Sequence, residues 1–304
     1  MTSITAQEFI AAEKNKESPL IPEQLEALTT FFTNPNVPVP QIAHDLTRPV
    51  ISLHEAAKKD PDLLGTFDHG RLWSSLADAI EQLPDFHDKL VDLFVEIQEV
   101  SDPDDHFACM TDYQQYWTEF AFDFKVPRSN DPEREAKRQA WINMNAFCAK
   151  LSLRRVPEID ERPRAAWVLK EALERAPWEQ FHHPDIDEQL DEDPDDEVVA
   201  EECAYELECR DVRVLDYWAP AAAAWMKIDA RGIYEMEGQM SQADDEDWDP
   251  TTWKGPKGWS KERFAYWMER FEWISKVTVL QRSTRKDAAD AAENMKAVLE
   301  ADKR

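Results

Sequence analysis

The sequence predicts an all-α protein, a single bundle of about ten to twelve helices with a long acidic internal loop. Three observations carry that expectation. Glycine is scarce, at 6 in 304 residues, where average usage would give roughly 7%. β-Branched residues seldom alternate with polar ones as they would along half-buried strands. Apolar residues instead recur every three or four positions behind recognisable helix starts. The chain also holds 12 Trp, 14 Phe and 6 Tyr, enough large side chains to build a core despite its many charges. A chain of this length buries enough surface to need no disulfide or metal.

Taken in order, Thr5 and Glu8 form a capping box before Phe9 and Ile10. Pro22 opens a helix with Leu25, Leu28 and Phe32 on one face. Leu72, Trp73, Leu76, Ile80 and Leu83 make an apolar stripe, and Phe86, Leu90, Leu93, Phe94 and Ile97 make a second after Pro84, which predicts a helical hairpin. Tyr113, Trp117, Phe120 and Phe124 mark a short aromatic helix ending near Pro127. Asp131, followed by Pro132, caps a long helix that buries Trp141, Met144, Cys148 and Leu151. Asn145 falls on that apolar face and is expected to bond neighbouring backbone.

Arg164–Arg175 is the next helix. The run Asp185–Glu197 is too charged to bury and reads as an exposed loop. Beyond it, Leu215, Trp218, Ala222, Trp225 and Met226 share one stripe, with Pro220 marking a kink or restart. Asp244–Gly258 is a second acidic loop, and it carries Trp248 and Trp253 just before Trp259. Ser260 then caps a helix whose buried face is Phe264, Trp267, Phe271 and Ile274, with Trp259 and Phe264 placed as a hydrophobic staple. A last helix from about Thr284 presents Ala288, Ala291, Met295 and Val298. The organisation expected is a helical part over 1–183, an acidic loop over 184–198, and a helical part over 199–304 packed on the first as one domain.

The formal charge of -28 opposes binding to phosphate backbones, so nucleic acid is not an expected ligand and a basic protein is the expected partner. The charge is uneven. Pro184–Cys209 holds 13 acids and no Lys or Arg, whereas 251–304 holds 12 Lys and Arg against 8 acids. No stretch is apolar over the length needed to span a bilayer, and Met1–Ser18 lacks the apolar run of a secretory signal. A cytoplasmic or nuclear protein is therefore expected, without a membrane partner. Cys109, Cys148, Cys203 and Cys209 contain no CxxC pair and are expected as free thiols.

Motifs with catalytic meaning are missing. Gly255-Pro256-Lys257-Gly258 lacks the rest of a P-loop, and GxGxxG, HExxH and GxSxG do not occur. Glu179 and His182 form a lone ExxH, where a di-iron bundle needs two. His44, His54, His69, His87 and His106 are scattered singly. Asp191, Asp193, Asp195, Glu197 and Glu202 fall at EF-hand loop positions 1, 3, 5, 7 and 12, but Asp196 stands where the loop's turn needs Gly. These five are the candidate metal ligands, and weak unselective cation association fits them better than a calcium site. No cofactor is implied. Trp248, Trp253 and Trp259 are the candidate ligand-binding residues, as a stacking surface, against the plainer role of pinning the second loop to the helices.

Trp259, Ser260, Glu262, Arg263, Phe264, Trp267, Arg270 and Phe271, followed by an Ala-rich helix, resemble the end of a fungal helical family catalogued as domain of unknown function 3632. Leu72 and Trp73, Lys89–Leu93, Trp141 with Asn145 and Ala146, and Ala223–Met226 with Gly232 and Tyr234 extend the likeness from about residue 70 to the end. Phe264 departs from the Trp expected there. The resemblance implies an all-helical fungal protein, with metabolic gene clusters as occasional neighbours, and brings no catalytic residue or cofactor with it.

The function expected is thus a non-catalytic interaction or accessory protein whose acidic surface selects a basic partner. The alternative is an enzyme or small-ligand binder of a fungal metabolic pathway, with a pocket between helices near the Trp-rich C-terminal part.

Overall fold

The protein is described by a computed structural model over residues 4–60, 63, 70–240 and 251–303. His69, Trp248 and the 244–250 part of the second acidic loop lie outside the described residues. The described residues form fourteen α-helices and no strand, and they fall into two compact units, 1–124 with 150–160 and 125–149 with 161–304.

The first unit contains α1 (Ala6–Lys14), α2 (Pro22–Thr33), α3 (Val39–Ala57), α4 (Gly70–Gln82), α5 (His87–Gln98), α6 (His106–Cys109) and α7 (Thr111–Tyr116). The capping box is present in both directions: Glu8 N donates to Thr5 Oγ1 at 3.2 Å and Thr5 N donates to Glu8 Oε2 at 2.8 Å. Pro22 stands at the first position of α2, where its missing N–H has no bond to lose. The two stripes meet across the break at Leu83 and Pro84, where Trp73 and Phe94, about equally far from the turn, bring their rings to 6.0 Å. Tyr113 and Trp117 complete this aromatic core, both fully buried. The aromatic helix differs from expectation in leaving the α pitch, since Trp117–Ala121 winds as a π-helix.

The second unit contains α8 (Arg134–Ser152, whose last residues belong to the first unit), α9 (Arg162–Leu173), α10 (Pro184–Glu192), α11 (Glu197–Cys209), α12 (Leu215–Tyr234), α13 (Lys261–Ile274) and α14 (Arg282–Asp302). α8 begins later than expected, at Arg134: Asp131 Oδ1 accepts Glu133 N at 2.7 Å in the turn that precedes the helix, and Pro132 lies in that turn. Trp141, Trp167 and Trp218, from α8, α9 and α12, meet edge to face at 5.1–5.9 Å. Asn145 is fully buried, donates to Trp141 O at 2.9 Å and accepts Trp225 Nε1 at 2.8 Å, so both ends of the amide are used. Ala288, Ala291 and Ala292 of α14 are buried and let it lie close along α12.

Two expectations need correction. The acidic loop is not a loop: Pro184–Glu192 is helical, 193–196 is a turn, and α11 follows at once. Pro184 at the first position, Asp185 and Asp187 in the first turn, and Asp196 accepting Val198 N at 2.8 Å all favour helix starts. Charge alone concealed a helix that stays largely exposed. Second, α12 runs through Pro220 and breaks at Asp229 instead (φ -128°, ψ 37°). Pro220 cannot donate to the Asp216 carbonyl, and Arg138 Nε takes that oxygen at 2.6 Å. At the break, Asp229 Oδ1 accepts Gly232 N at 3.1 Å and restarts the helix. Any Cβ at Gly232 would stand 2.2 Å from that carboxylate, which is why Gly occupies the position.

Candidate functional site

The second unit presents two features: a carboxylate knot holding the Trp-rich segment, and an acidic hairpin with a cavity at its base. Glu174 ends α9 and is fully buried. An acid at a helix C-terminus works against the macrodipole, so another group must compensate it. Arg263 does so through two parallel bonds, Nε to Oε1 at 2.7 Å and Nη2 to Oε2 at 2.8 Å, and Trp267 Nε1 donates to Oε1 at 2.7 Å. The Glu174 carbonyl accepts Thr252 N and Thr252 Oγ1, each at 2.7 Å, while Arg263 Nη1 donates to Gly258 O at 2.9 Å. Glu174 thus ties α9 to α13 through its carboxylate and to the segment 251–258 through its carbonyl. The fork geometry is the strong form of an Arg–carboxylate pair.

Trp259 is 7% exposed and meets Trp267 edge to face at 5.9 Å. Trp253 is half-buried, donates Nε1 to Pro256 O at 2.9 Å and lies against Tyr266 with ring centres 5.3 Å apart. Trp253 and Trp259 therefore contact different aromatic residues of α13.

α10 and α11 form the hairpin. Arg210 clamps its base, pairing with Asp185 and with Glu206 at 3.2 Å, and its guanidinium holds the Asp185 carboxyl down to about 2. Tyr205 OH donates to Val126 O at 2.6 Å, and the Tyr205 ring carries Arg128 at 4.8 Å. Burial pushes the Tyr205 hydroxyl up to about 12, with Cys209 beside it adding to the shift.

Toward the tip, Glu188, Asp191, Glu192, Asp193, Asp195, Glu197, Glu201 and Glu202 are exposed, and their carboxylates pair with no cation among the described residues. Leu190 (36% exposed) and Val198 (63%) stand among them. Of the candidate metal ligands, Asp191 lies in α10, Asp193 and Asp195 in the turn, and Glu197 and Glu202 on α11. No three His, Cys, Asp or Glu among the described residues converge as ligands of one ion. Glu179 and His182 do not share a helix face, since the 3-10 turn ends at Glu179. His182 lies 3.5 Å from Asp187.

Beside the hairpin is a cavity of about 630 Å³, lined by Glu171, Arg175, Trp178, His183, Cys209 and Trp218 among others. Trp178 stacks on Trp273 at 7° and 6.3 Å, and its Nε1 is buried without a hydrogen-bond partner among the described residues. Burial raises the Cys209 thiol, which disfavours a nucleophilic thiolate there. All four cysteines are thiols, with no disulfide among the described residues.

Sequence reading missed Glu174 and Trp178. The one available signal was the acid at the end of α9, where the dipole disfavours it.

Fold and site together define an all-α protein with an acid-rich helical hairpin, and among the described residues no helix is long and apolar enough to cross a membrane. The chain belongs to the family described as protein of unknown function (DUF3632), whose model matches residues 73–271. The match begins at Trp73 and closes at Phe271, spanning Trp141, Asn145, Gly232 and Arg263, which carried the resemblance in the sequence. No curated protein and no solved structure matches the chain.

Proposed function

We propose that the protein is a non-catalytic interaction protein whose α10–α11 hairpin receives a basic partner. The observation that supports this reading is the row of exposed, uncompensated carboxylates on two successive helices, with Leu190 and Val198 set among them. Carboxylates left without internal cations steer a cationic surface and fix its register, while the apolar pair supplies contact area. The net charge of -28 repels phosphate backbones, which sets nucleic acid aside as the partner.

The test uses a basic amphipathic peptide of Lys and Leu, titrated by fluorescence anisotropy. Neutralising Glu188, Asp191 and Glu192 together to their amides should weaken binding several-fold and flatten its salt dependence. The same number of amides at Glu272, Glu293 and Glu300 should not. Equal effects from the two triples would mean that the chain attracts the peptide by overall charge only, against a hairpin site.

A second reading, a small-ligand binder, is favoured by the buried Trp178 Nε1 beside the cavity. Its size suits a drug-sized molecule with a carbonyl acceptor. Native mass spectrometry of protein purified from its own host should then show a bound small molecule that Trp178→Phe loses. A host sample carrying only a stoichiometric partner chain would favour the first reading.

A further inference from the structure

We propose that a cavity in the first unit binds a small zwitterion of the amino-acid type. The cavity, about 500 Å³, is lined by Lys16, Arg71, Ser74, Asp112, Gln115 and Tyr116 among others. This volume lies within the range of small-molecule sites, and a lining so rich in hydroxyl, amide and charged groups selects a polar occupant.

Charge decides which polar occupant fits. Arg71, in the first turn of α4, has its Nε shielded from solvent and without a hydrogen-bond partner among the described residues. Buried donors are nearly always satisfied, and the group that best satisfies a guanidinium is a carboxylate reached through two of its N–H groups. Lys16 cannot take that role. Its Nζ already contacts Glu13 and Asp78, and although burial lowers its pKa, the bonds to these two carboxylates outweigh that and raise it.

The remaining charges oppose a simple anion. Lys16 and Arg71 are outnumbered by Glu13, Asp78, Asp112 and Glu119, with Glu81 adding partial charge near neutrality. An anion would meet net repulsion, whereas a molecule carrying an ammonium group beside its carboxylate would not. Glu119 is exposed and accepts Gln115 Nε2 at 3.2 Å. Asp112, half-buried in the first turn of α7, is the carboxylate assigned to the ammonium group, since a carboxylate has several acceptor sites and can serve more than one donor. Ser74 and Tyr116, both in the lining, are left to contact the ligand's side chain.

The experiment is isothermal titration of the full chain with L-glutamine, L-glutamate and L-leucine, and with propionate and propylamine as the two halves of the ligand. At least one amino acid should bind saturably with Kd of about 1 mM or tighter, and neither half should saturate at tenfold higher concentration. Arg71→Met and Asp112→Asn should each weaken binding by about tenfold or more while thermal unfolding stays unchanged. Should Arg71→Met not fold, Arg71→Lys, which keeps the charge and loses the fork, supplies the same comparison with a smaller loss. The proposal is overturned by absence of saturation with all three amino acids, by propionate or propylamine binding as tightly as the amino acids, or by folded variants that bind as the parent does.

Discussion

Arg263→Met is expected to destabilise the protein by about 3–5 kcal/mol, the largest effect of any single substitution considered. The change leaves the fully buried Glu174 carboxylate without its cation, and the penalty comes from that stranded charge more than from the lost attraction. Trp267 and Thr251 remain as donors to Glu174, but neutral donors cannot offset the desolvation of a carboxylate. Arg263→Lys should recover only part of the loss, because an ammonium cannot make the two parallel bonds. Replacing both residues with Met should cost much less than Arg263→Met alone, since apolar groups then fill a site that asks for no charge. Urea melts of the parent, Arg263→Met, Glu174→Met and the double variant, read as a double-mutant cycle, check this, with Arg263→Lys measured beside them. A loss below about 1 kcal/mol for Arg263→Met would mean that water reaches Glu174 and that the knot does not organise the 251–258 segment.

Glu81→Gln is expected to act in the opposite direction and only above mildly acidic pH. Burial pushes the Glu81 carboxyl up to about 7, the nearby Asp78 carboxylate adds to the shift, and Lys16 offsets part of it. The folded state therefore resists ionising Glu81, while the unfolded chain ionises it near its ordinary 4.5. Below that value both states hold the proton and no penalty exists. Between there and about 7 the folded state binds more protons, so stability falls as pH rises, and above 7 the full cost is present. At 1.36 kcal/mol per pH unit that cost is about 3 kcal/mol. Gln never ionises, so the variant should gain about 1–3 kcal/mol at pH 8 and nothing at pH 4.5. Chemical denaturation at the two pH values measures the difference. Equal gains at both would point to packing or hydrogen bonding as the cause.

Most helices of this fold were legible because their signals are local. Thr5 with Glu8, Pro22 and Ser260 each mark a start that the structure uses, and the stripes of α4 and α5 follow helical spacing closely. What stayed hidden depends on distant partners. Nothing near Pro220 in sequence shows that Arg138 will take the orphan Asp216 carbonyl, so a kink or restart is the natural reading there. The acidic run looked like a loop because exposure and helicity are separate properties: α10 buries only Ile186 among its residues and is still a helix. Glu174 was one acid among 63 Asp and Glu, and its importance arises only when Arg263 folds over it.

The bond from Arg138 to the Asp216 carbonyl also bears on the order in which the chain takes shape. Because Pro220 has no N–H to give, the first turn of α12 is incomplete until α8 lies beside it, whatever the local preference of its alanines. On the ribosome α8 emerges some eighty residues earlier and is present as a template when Leu215–Tyr234 leaves the exit tunnel. A circular permutant beginning near residue 161 would reverse that order, and its α12 would have to wait for the end of synthesis before its opening turn could close.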